Sequence, residues 1–335
     1  MTSARFKCID LHQHFVPDRY RNALAAAGIT RPDGMAGVPA WSDAEAIAMM
    51  DRLGIETAFV SISSPGVNFS GPELARELAR QTNEDAAQLV ARYPGRFGFF
   101  AVTPLPDVEA ALSEITHAFD VLGADGIVFE SNFKGTYLGD TMLEPVYAEL
   151  DRRKAVLFIH PTSPHCQCTK CTPSGDQPAD IALGYRRPML EFMFETTRTV
   201  AHIILSGVLQ RYPNIEIVVP HAGACLPVLA GRIELLKDAG GGRSSDQSPQ
   251  DIRAALRRLH FDVAGAPVPE LLGTLLQIAD RSNLHYGSDW PFTPTDACAH
   301  LLQKLIDTPL LDENERTAIM SDNARRIFGR LSMGK

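Results

Sequence analysis

The stretch CIDLHQHFVP at residues 8–17 reads as a buried β-strand that ends in two histidines, His12 and His14. Side chains on a strand alternate between its two faces, so residues two apart point the same way. Two imidazoles that leave a strand end together are a good start on a transition-metal site. Paired histidines at this spacing also occur in ordinary cores, so the rest of the chain decides which interpretation applies.

Seven further stretches of the same kind follow along the chain. With the first strand at 6–14, the predicted strands lie at 56–63, 97–103, 125–130, 155–160, 215–221, 260–264 and 284–289. Stretches of helical period, such as 72–93 and 107–122, separate them. Nearly continuous apolar strands are typical of a parallel sheet buried on both faces. Eight strands that alternate with helices predict an α/β fold, a single (β/α)8 TIM barrel over residues 1–335.

A polar stretch interrupts this alternation after the fifth predicted strand. It spans residues 161–180, on the side of a barrel where active-site loops lie, and it predicts a lid-like insertion. Within it, Cys166, Cys168 and Cys171 place three thiols close enough to share a zinc ion. No second C-x-x-C pair completes four ligands, so a lid loop is the favoured interpretation.

Composition narrows the possible partners. The chain has 335 residues, 45% of them hydrophobic and 21% charged, as expected for a soluble globular protein. A net charge of −8 without a basic stripe argues against nucleic acid as a partner. No apolar run approaches the ~18 residues that span a membrane. Without a secretory signal or a disulfide scaffold, we expect a cytoplasmic protein.

Polar side chains of similar chemistry end four of the predicted strands. His12 and His14 end the first, His160 the fifth, His221 the sixth and Asp289 the eighth. These are carboxyl ends, the face where barrel active sites are built. Imidazole and carboxylate suit Zn²⁺ or a similar divalent ion, and a buried aspartate without a cation would be costly. The pattern predicts a metal site of three histidines and one aspartate, with a further histidine left for proton transfer.

Several motifs resemble one known family. They are IDLHQHFVP at 9–17, Ile159-His160-Pro161, PHAG at 220–223 running on to Gly231-Arg232, GSDWP at 287–291, and the stretch from ETTRT at 195–199 to RYP at 211–213. Over nearly its whole length the chain resembles the amidohydrolase superfamily. The branch is the one that contains aminocarboxymuconate-semialdehyde decarboxylase and aromatic-acid decarboxylases. Within that branch it is most similar to 6-methylsalicylate decarboxylases, through HFVPDRY at 14–20, MDRLGI at 50–55 and RRKAV at 152–156.

The resemblance implies a ligand set and a catalytic pair. The residues that match the family's metal ligands are His12, His14, His160 and Asp289. His221 matches the residue that activates water or manages protons, and Asp289 is expected to shuttle the proton in a decarboxylation. One divalent ion is implied, Zn²⁺ first and Mn²⁺ second, with no organic cofactor.

Candidate substrate contacts come from the same resemblance and from the positions of residues near the predicted ligands. Arg232 matches an arginine that relatives offer to a substrate carboxylate, in some cases across a dimer interface. Phe15, Trp290 and Phe292 flank the ligands and are candidates for an aromatic wall, although ordinary barrel packing explains them equally well. His165, in the lid segment, is a further candidate.

Two departures from the family pattern refine the prediction. Binuclear amidohydrolases carry a bridging lysine at the end of strand 4, where this chain has Glu130-Ser131-Asn132 and its nearest lysine is Lys134. A single metal ion is therefore favoured. Residues 34–41 hold no arginine, unlike the muconate-semialdehyde enzymes, and this favours an aromatic acid as the substrate.

The leading hypothesis is a metal-dependent, non-oxidative decarboxylase (a carboxy-lyase) of an ortho-hydroxybenzoate such as 6-methylsalicylate. An alternative is a hydrolase of an ester, lactone or amide that uses metal-activated water, with His221 as the base. A third hypothesis is a catalytically silent barrel that binds a small acid. The expected partners are a small aromatic acid and further copies of the chain, because relatives suggest dimers or tetramers.

Overall fold

The computed structural model describes residues 7–165, 185–237 and 251–332, which contain ten strands. In chain order they are β1 (Cys8–His14), β2 (Ile55–Ser61), β3 (Phe97–Val102), β4 (Gly126–Glu130), β5 (Asn132–Phe133), β6 (Thr136–Tyr137), β7 (Val156–His160), β8 (Glu216–Val219), β9 (His260–Asp262) and β10 (Leu284–His285). β5 and β6 pair as a small antiparallel hairpin. The other eight strands pair in parallel, in chain order, in one sheet.

Hydrogen bonds between β1 and the segment that directly follows β10 close this sheet into a barrel. The Leu11 amide donates to the Tyr286 carbonyl at 2.9 Å, and the His14 amide donates to the Trp290 carbonyl at 2.7 Å. The Asp289 amide in turn donates to the carbonyl of His12 at 2.7 Å. The predicted (β/α)8 barrel is confirmed.

Helices alternate with the barrel strands, as the hydrophobic periodicity predicts. They are α1 (Asp18–Ala26), α2 (Asp43–Leu53), α3 (Pro72–Arg92), α4 (Val108–Asp120), α5 (Glu144–Arg153), α6 (Glu191–Leu205), α7 (Val208–Arg211), α8 (Leu226–Leu236), α9 (Ile252–Arg258), α10 (Glu270–Leu275), α11 (Thr295–Asp307), α12 (Glu313–Thr317) and α13 (Asn323–Ile327). The predicted helices at 72–93 and 107–122 correspond to α3 and α4. Among the described residues, no helix combines the length and apolar character needed to cross a membrane.

An aromatic layer fills the barrel beneath its carboxyl-end mouth. Phe100 and Phe158 stack with ring centroids 5.3 Å apart, although β4 lies between their strands. Phe59 stacks on Phe328, which follows α13, at 4.0 Å. Phe158 also packs edge-on against His12 at 4.9 Å. The interior is therefore a packed apolar floor on which the polar strand ends rest.

The lid-like insertion expected near 161–180 lies mostly outside the described residues, as do Cys166, Cys168 and Cys171. The structure describes only the beginning of this segment, through His165. Both interpretations of the cysteine-containing stretch therefore stay predictions.

Candidate metal centre

Five side chains converge at the carboxyl-end mouth of the barrel, and we call them the candidate metal cluster. They are His12, His14, His160, His221 and Asp289. Potential ligand atoms of the first three lie within 4.8 Å of one another, and so do those of His12, His221 and Asp289. Asp289 Oδ1 lies 3.0 Å from His14 Nε2 and 3.5 Å from His12 Nε2. The structure thus brings together every residue at the predicted strand ends for which the sequence predicted metal binding or proton transfer.

Unusual backbone conformations bring two members of the cluster over the mouth. His221 (φ 54°) and Asp289 (φ 59°) both adopt left-handed conformations just beyond the ends of β8 and β10. Such conformations are costly for residues other than glycine and concentrate at functional sites. Gly287 permits the close approach of β10 to β1, because a Cβ there would lie 2.8 Å from the Cβ of His12.

The outer nitrogen of each β1 histidine faces an oxygen acceptor. His12 Nδ1 lies 2.9 Å from Asp262 Oδ2, and His14 Nδ1 lies 3.4 Å from the Ser61 carbonyl oxygen. When His12 is neutral and these protons are on Nδ1, both Nε2 atoms carry free lone pairs that face each other at 3.2 Å. Two lone pairs at this distance repel each other unless a cation lies between them. The donor set therefore fits a divalent metal ion.

The protonation behaviour of the cluster agrees with this fit. Burial lowers the pKa of His14, and it lowers that of His160 far below its usual value, so both imidazoles are neutral and able to act as ligands. Burial also opposes charge on His12, but Asp262, Asp289 and Asp10 outweigh it and raise the pKa of His12 to about 9. The carboxylates thus stabilise a positive charge in the cluster. A metal ion that replaced the proton on His12 would supply that charge.

Asp289 stays ionised in spite of its surroundings. Burial alone would raise its pKa, yet the neighbouring imidazoles of His14, His221 and His12 hold that pKa well below its usual range. The hydroxyl of Thr293 lies 3.3 Å from Asp289 Oδ2 and can donate to it. An ionised carboxylate with one oxygen toward the histidines is a suitable metal ligand.

A cavity of about 390 Å³ opens directly onto the cluster, large enough for a substituted benzene ring. Its polar walls come from Ser63, Asp33 and the cluster residues His160, His221 and Asp289. The apolar walls include Met35, Met189, Phe192, Met193, Leu271 and Phe292. No lysine or arginine among the described residues lines it. A bound anion would therefore find its compensating charge at the metal cluster itself.

The aromatic residues predicted to contact substrate occupy different environments. Phe292 lines the cavity and packs edge-on against His14, with ring centroids 5.2 Å apart. Phe15 packs edge-on against Trp41, outside the cavity lining. Trp290 is 94% buried beside the cluster, and its indole nitrogen donates to Thr295 Oγ1 at 3.2 Å. Packing thus accounts for Phe15 and Trp290, and Phe292 alone of the three faces the cavity.

His165 and Arg232 also lie outside the lining of this cavity. His165 borders a neighbouring cavity above β2, β3 and β4 and lies against Gly135. Arg232 lies on the exposed side of α8. Within one chain, neither residue lines the cavity that opens onto the candidate metal cluster, and their contact with substrate stays a prediction. Arg232 lies on the helix that follows the PHAG motif, and the sequence does not show which side of that helix faces the mouth of the barrel.

Sequence reasoning missed several acidic residues around the cluster. Asp262, at the end of β9, orients His12 and also accepts from the amides of His221 and Ala264, both at 3.0 Å. Asp10 is fully buried and accepts from the His12 and Ser288 amides at 3.0 Å. Residues 10, 12 and 14 are every second residue of one strand and share one of its faces, so the two-residue period of a strand could have identified Asp10.

Asp33 is a further acidic residue that the sequence did not single out. It is 93% buried in the cavity wall, in a left-handed conformation (φ 55°), and accepts a hydrogen bond from Ser163. Burial raises its pKa, and hydrogen bonds from Ser163 and Ser64 oppose that rise. No spacing signal marks it, because it lies in the connection between α1 and α2.

The architecture defines a (β/α)8 barrel with a candidate metal centre at the carboxyl ends of its strands. Residues 9–330 match the amidohydrolase family, and the chain belongs to that family. It is 34% identical to the 6-methylsalicylic acid decarboxylase of Penicillium expansum, across 96% of both chains. It is 33% identical to the decarboxylase yanB of Aspergillus niger, across 97% of this chain and 88% of that protein. A crystal structure of an amidohydrolase II superposes with a TM-score of 0.87 at 33% identity, across 96% of this chain and 99% of that one.

Proposed function

We propose that this protein is a metal-dependent, non-oxidative decarboxylase of an ortho-hydroxybenzoate of the 6-methylsalicylate type. The observation that carries the proposal is the ring-sized, largely apolar cavity that opens onto the candidate metal cluster. Relatives of one third identity and nearly equal length, among them one named as a 6-methylsalicylic acid decarboxylase, support the reaction and the substrate class.

The metal would be held by four residues: His12, His14, His160 and Asp289. When bound, a divalent cation supplies a Lewis acid and a template for the carboxylate and the ortho hydroxyl of the substrate. Three imidazoles and one carboxylate favour Zn²⁺ over harder cations, with Mn²⁺ as the alternative. Elemental analysis of the purified protein, followed by reconstitution with each ion, decides between them.

Decarboxylation exchanges one bond to the ring for another. The carbon–carbon bond to the carboxylate breaks, a carbon–hydrogen bond forms at the same ring carbon, and CO₂ leaves. One proton must therefore reach the ring. His221 lines the cavity with 12% of its side chain exposed, and its Nε2 lies 3.9 Å from Asp289 Oδ2. Asp289, ionised at rest, would take up a proton transiently at Oδ2 and pass it to the ring, with His221 as its partner in the transfer.

The cavity walls would hold the ring and exclude water. Phe192, Met193, Leu271 and Phe292 supply apolar surface on which a planar substrate can pack. Exclusion of water strengthens the electrostatic interactions of the carboxylate with the cluster. A substrate without an ortho hydroxyl would lose one of the two oxygens that orient it.

The test is CO₂ release from a panel of hydroxybenzoates by metal-loaded protein. We expect release from 6-methylsalicylate or another ortho-hydroxybenzoate, and none from the matching benzoate without the hydroxyl. No CO₂ release from any member of the panel contradicts the proposal. Incorporation of oxygen-18 from water into the product of an ester or lactone substrate would instead support hydrolysis.

We also propose that the protein acts as a cytoplasmic homo-oligomer, a dimer or a tetramer. Val228 and Leu235 are large apolar side chains on α8 that are 68% and 78% exposed. Arg232 falls between them at helical spacing, on the same side of the helix. This face supports the prediction that Arg232 serves the site of another copy. Light scattering of wild-type protein and of L235E tests it, with the variant expected to dissociate.

A further inference from the structure

Among the three histidines proposed as metal ligands, two have an acceptor close to Nδ1, and the third, His160, has one slightly out of reach. The Nδ1 atoms of His12 and His14 lie 2.9 Å and 3.4 Å from oxygen acceptors. His160 Nδ1 faces Glu130 Oε2 at 3.6 Å, slightly too long for a hydrogen bond. Both atoms are buried, and neither has a hydrogen-bond partner within the described parts of the chain. These two atoms would therefore form a hydrogen bond of ordinary length if the distance between them shortened by about 0.7 Å.

The barrel itself places Glu130 beside His160. Glu130 ends β4, His160 ends β7, and the two residues are register partners in the parallel pairing of these strands. Side chains of register partners lie on the same face of a sheet. Glu130 is 94% buried, and Gly66 leaves room for it, because a Cβ on Gly66 would lie 3.1 Å from Glu130 Cγ. The carboxyl group is thus enclosed and directed by the fold.

We propose that Glu130 is a positioning residue that accepts a hydrogen bond from His160 Nδ1 and so directs His160 Nε2 toward the metal. The inference rests on the proposed metal-dependent function. A histidine that binds metal through Nε2 carries its proton on Nδ1 and needs an acceptor there. Glu130 does not belong to either group of clustered ligand atoms, so it acts through His160.

A neighbouring residue provides a matched control. Glu130 and Thr103 both line the second cavity, of about 220 Å³, above β2, β3 and β4. Thr103 Oγ1 is also buried and without a hydrogen-bond partner within the described residues. Among the described residues, no hydrogen bond joins the Thr103 side chain to a member of the candidate metal cluster. T103V therefore removes a buried polar group from the same cavity without touching His160.

The experiment compares metal affinity, measured by chelator competition with Zn²⁺ and with Co²⁺, in wild type, E130L, E130Q and T103V. We expect E130L to bind metal about 10- to 100-fold more weakly, the usual effect of removing a partner of a ligating histidine. E130Q keeps an amide oxygen as the acceptor and should stay within about threefold of wild type, as should T103V. The visible spectrum of the Co²⁺ form should change only in E130L.

The outcomes separate this inference from the function on which it rests. Wild-type protein that binds no divalent ion refutes both. If wild type binds metal and E130L binds it with the same affinity, the inference alone is refuted. The same holds if E130Q or T103V loses as much metal affinity as E130L. If E130L does not fold, NMR of ¹⁵N-histidine-labelled, Zn²⁺-loaded wild type decides. An exchange-protected Nδ1–H on His160 supports the hydrogen bond, and a freely exchanging one overturns it.

Discussion

Acidification should weaken metal binding, because His12 must lose a proton before its Nε2 can act as a ligand. Burial lowers the pKa of His12, but the surrounding carboxylates, led by Asp262, raise it to about 9. At pH 7 about one molecule in a hundred of the metal-free protein then has a neutral His12. The measured affinity at pH 7 should therefore lie about 100-fold below its plateau above pH 9.

The sign and slope follow from proton linkage. The metal binds the deprotonated form, so the apparent association constant should rise about tenfold from pH 7 to pH 8 and level off near pH 9. His14 and His160 add nothing to this slope, because burial already lowers their pKa values. Each bound ion should release about one proton at pH 7.

Chelator competition across this pH range measures the slope, and calorimetry in buffers of different ionisation enthalpy measures the proton release. D262N removes the strongest carboxylate partner of His12, so it should flatten the slope while lowering the plateau affinity. H300A, which changes an exposed histidine, is the control and should match wild type. An affinity that does not change between pH 7 and pH 9, with no proton released, would refute the reasoning.

Three further substitutions test separate parts of the structure. H160A removes a proposed ligand, so metal content and CO₂ release should fall together when both are assayed on one preparation. H221A should keep its metal yet lose about 10²-fold or more in kcat, and equal metal loss in the two variants would show that the division of roles is wrong. F59A empties part of the aromatic layer, where Phe59 is fully buried against Phe328. It should cost about 3–5 kcal/mol in urea unfolding of the metal-free protein, and a loss below 1 kcal/mol would contradict that packing.

The barrel was predictable because its strands are almost continuously apolar, which is typical of a sheet covered on both faces. The strand ends were less accurate. The predicted strands at 215–221 and 284–289 stop in the structure at Val219 and His285. Each is followed by a segment that contains a left-handed residue, His221 or Asp289, and such a residue interrupts the extended backbone of a strand. Apolar character alone does not reveal that turn.

The candidate metal cluster was predictable for a related reason: its members lie at or just after the carboxyl ends of strands, and those ends meet at one face of a barrel. The supporting residues were not. Asp262 faces His12, and Glu130 is the register partner of His160 on the adjacent strand. Both placements depend on how the strands are arranged in the barrel, which the sequence does not state. Arg232 and His165 show the converse, since closeness to a motif along the chain did not place them in the cavity.

The distance along the chain between the cluster's members has a consequence for biosynthesis. His14 and Asp289 contact each other across 275 positions, and the amide of Asp289 bonds to the carbonyl of His12. A nascent chain that still holds Asp289 inside the ribosome cannot close the barrel or complete the site. Complete coordination of a metal ion by this cluster would therefore come late, after the last strand has left the ribosome.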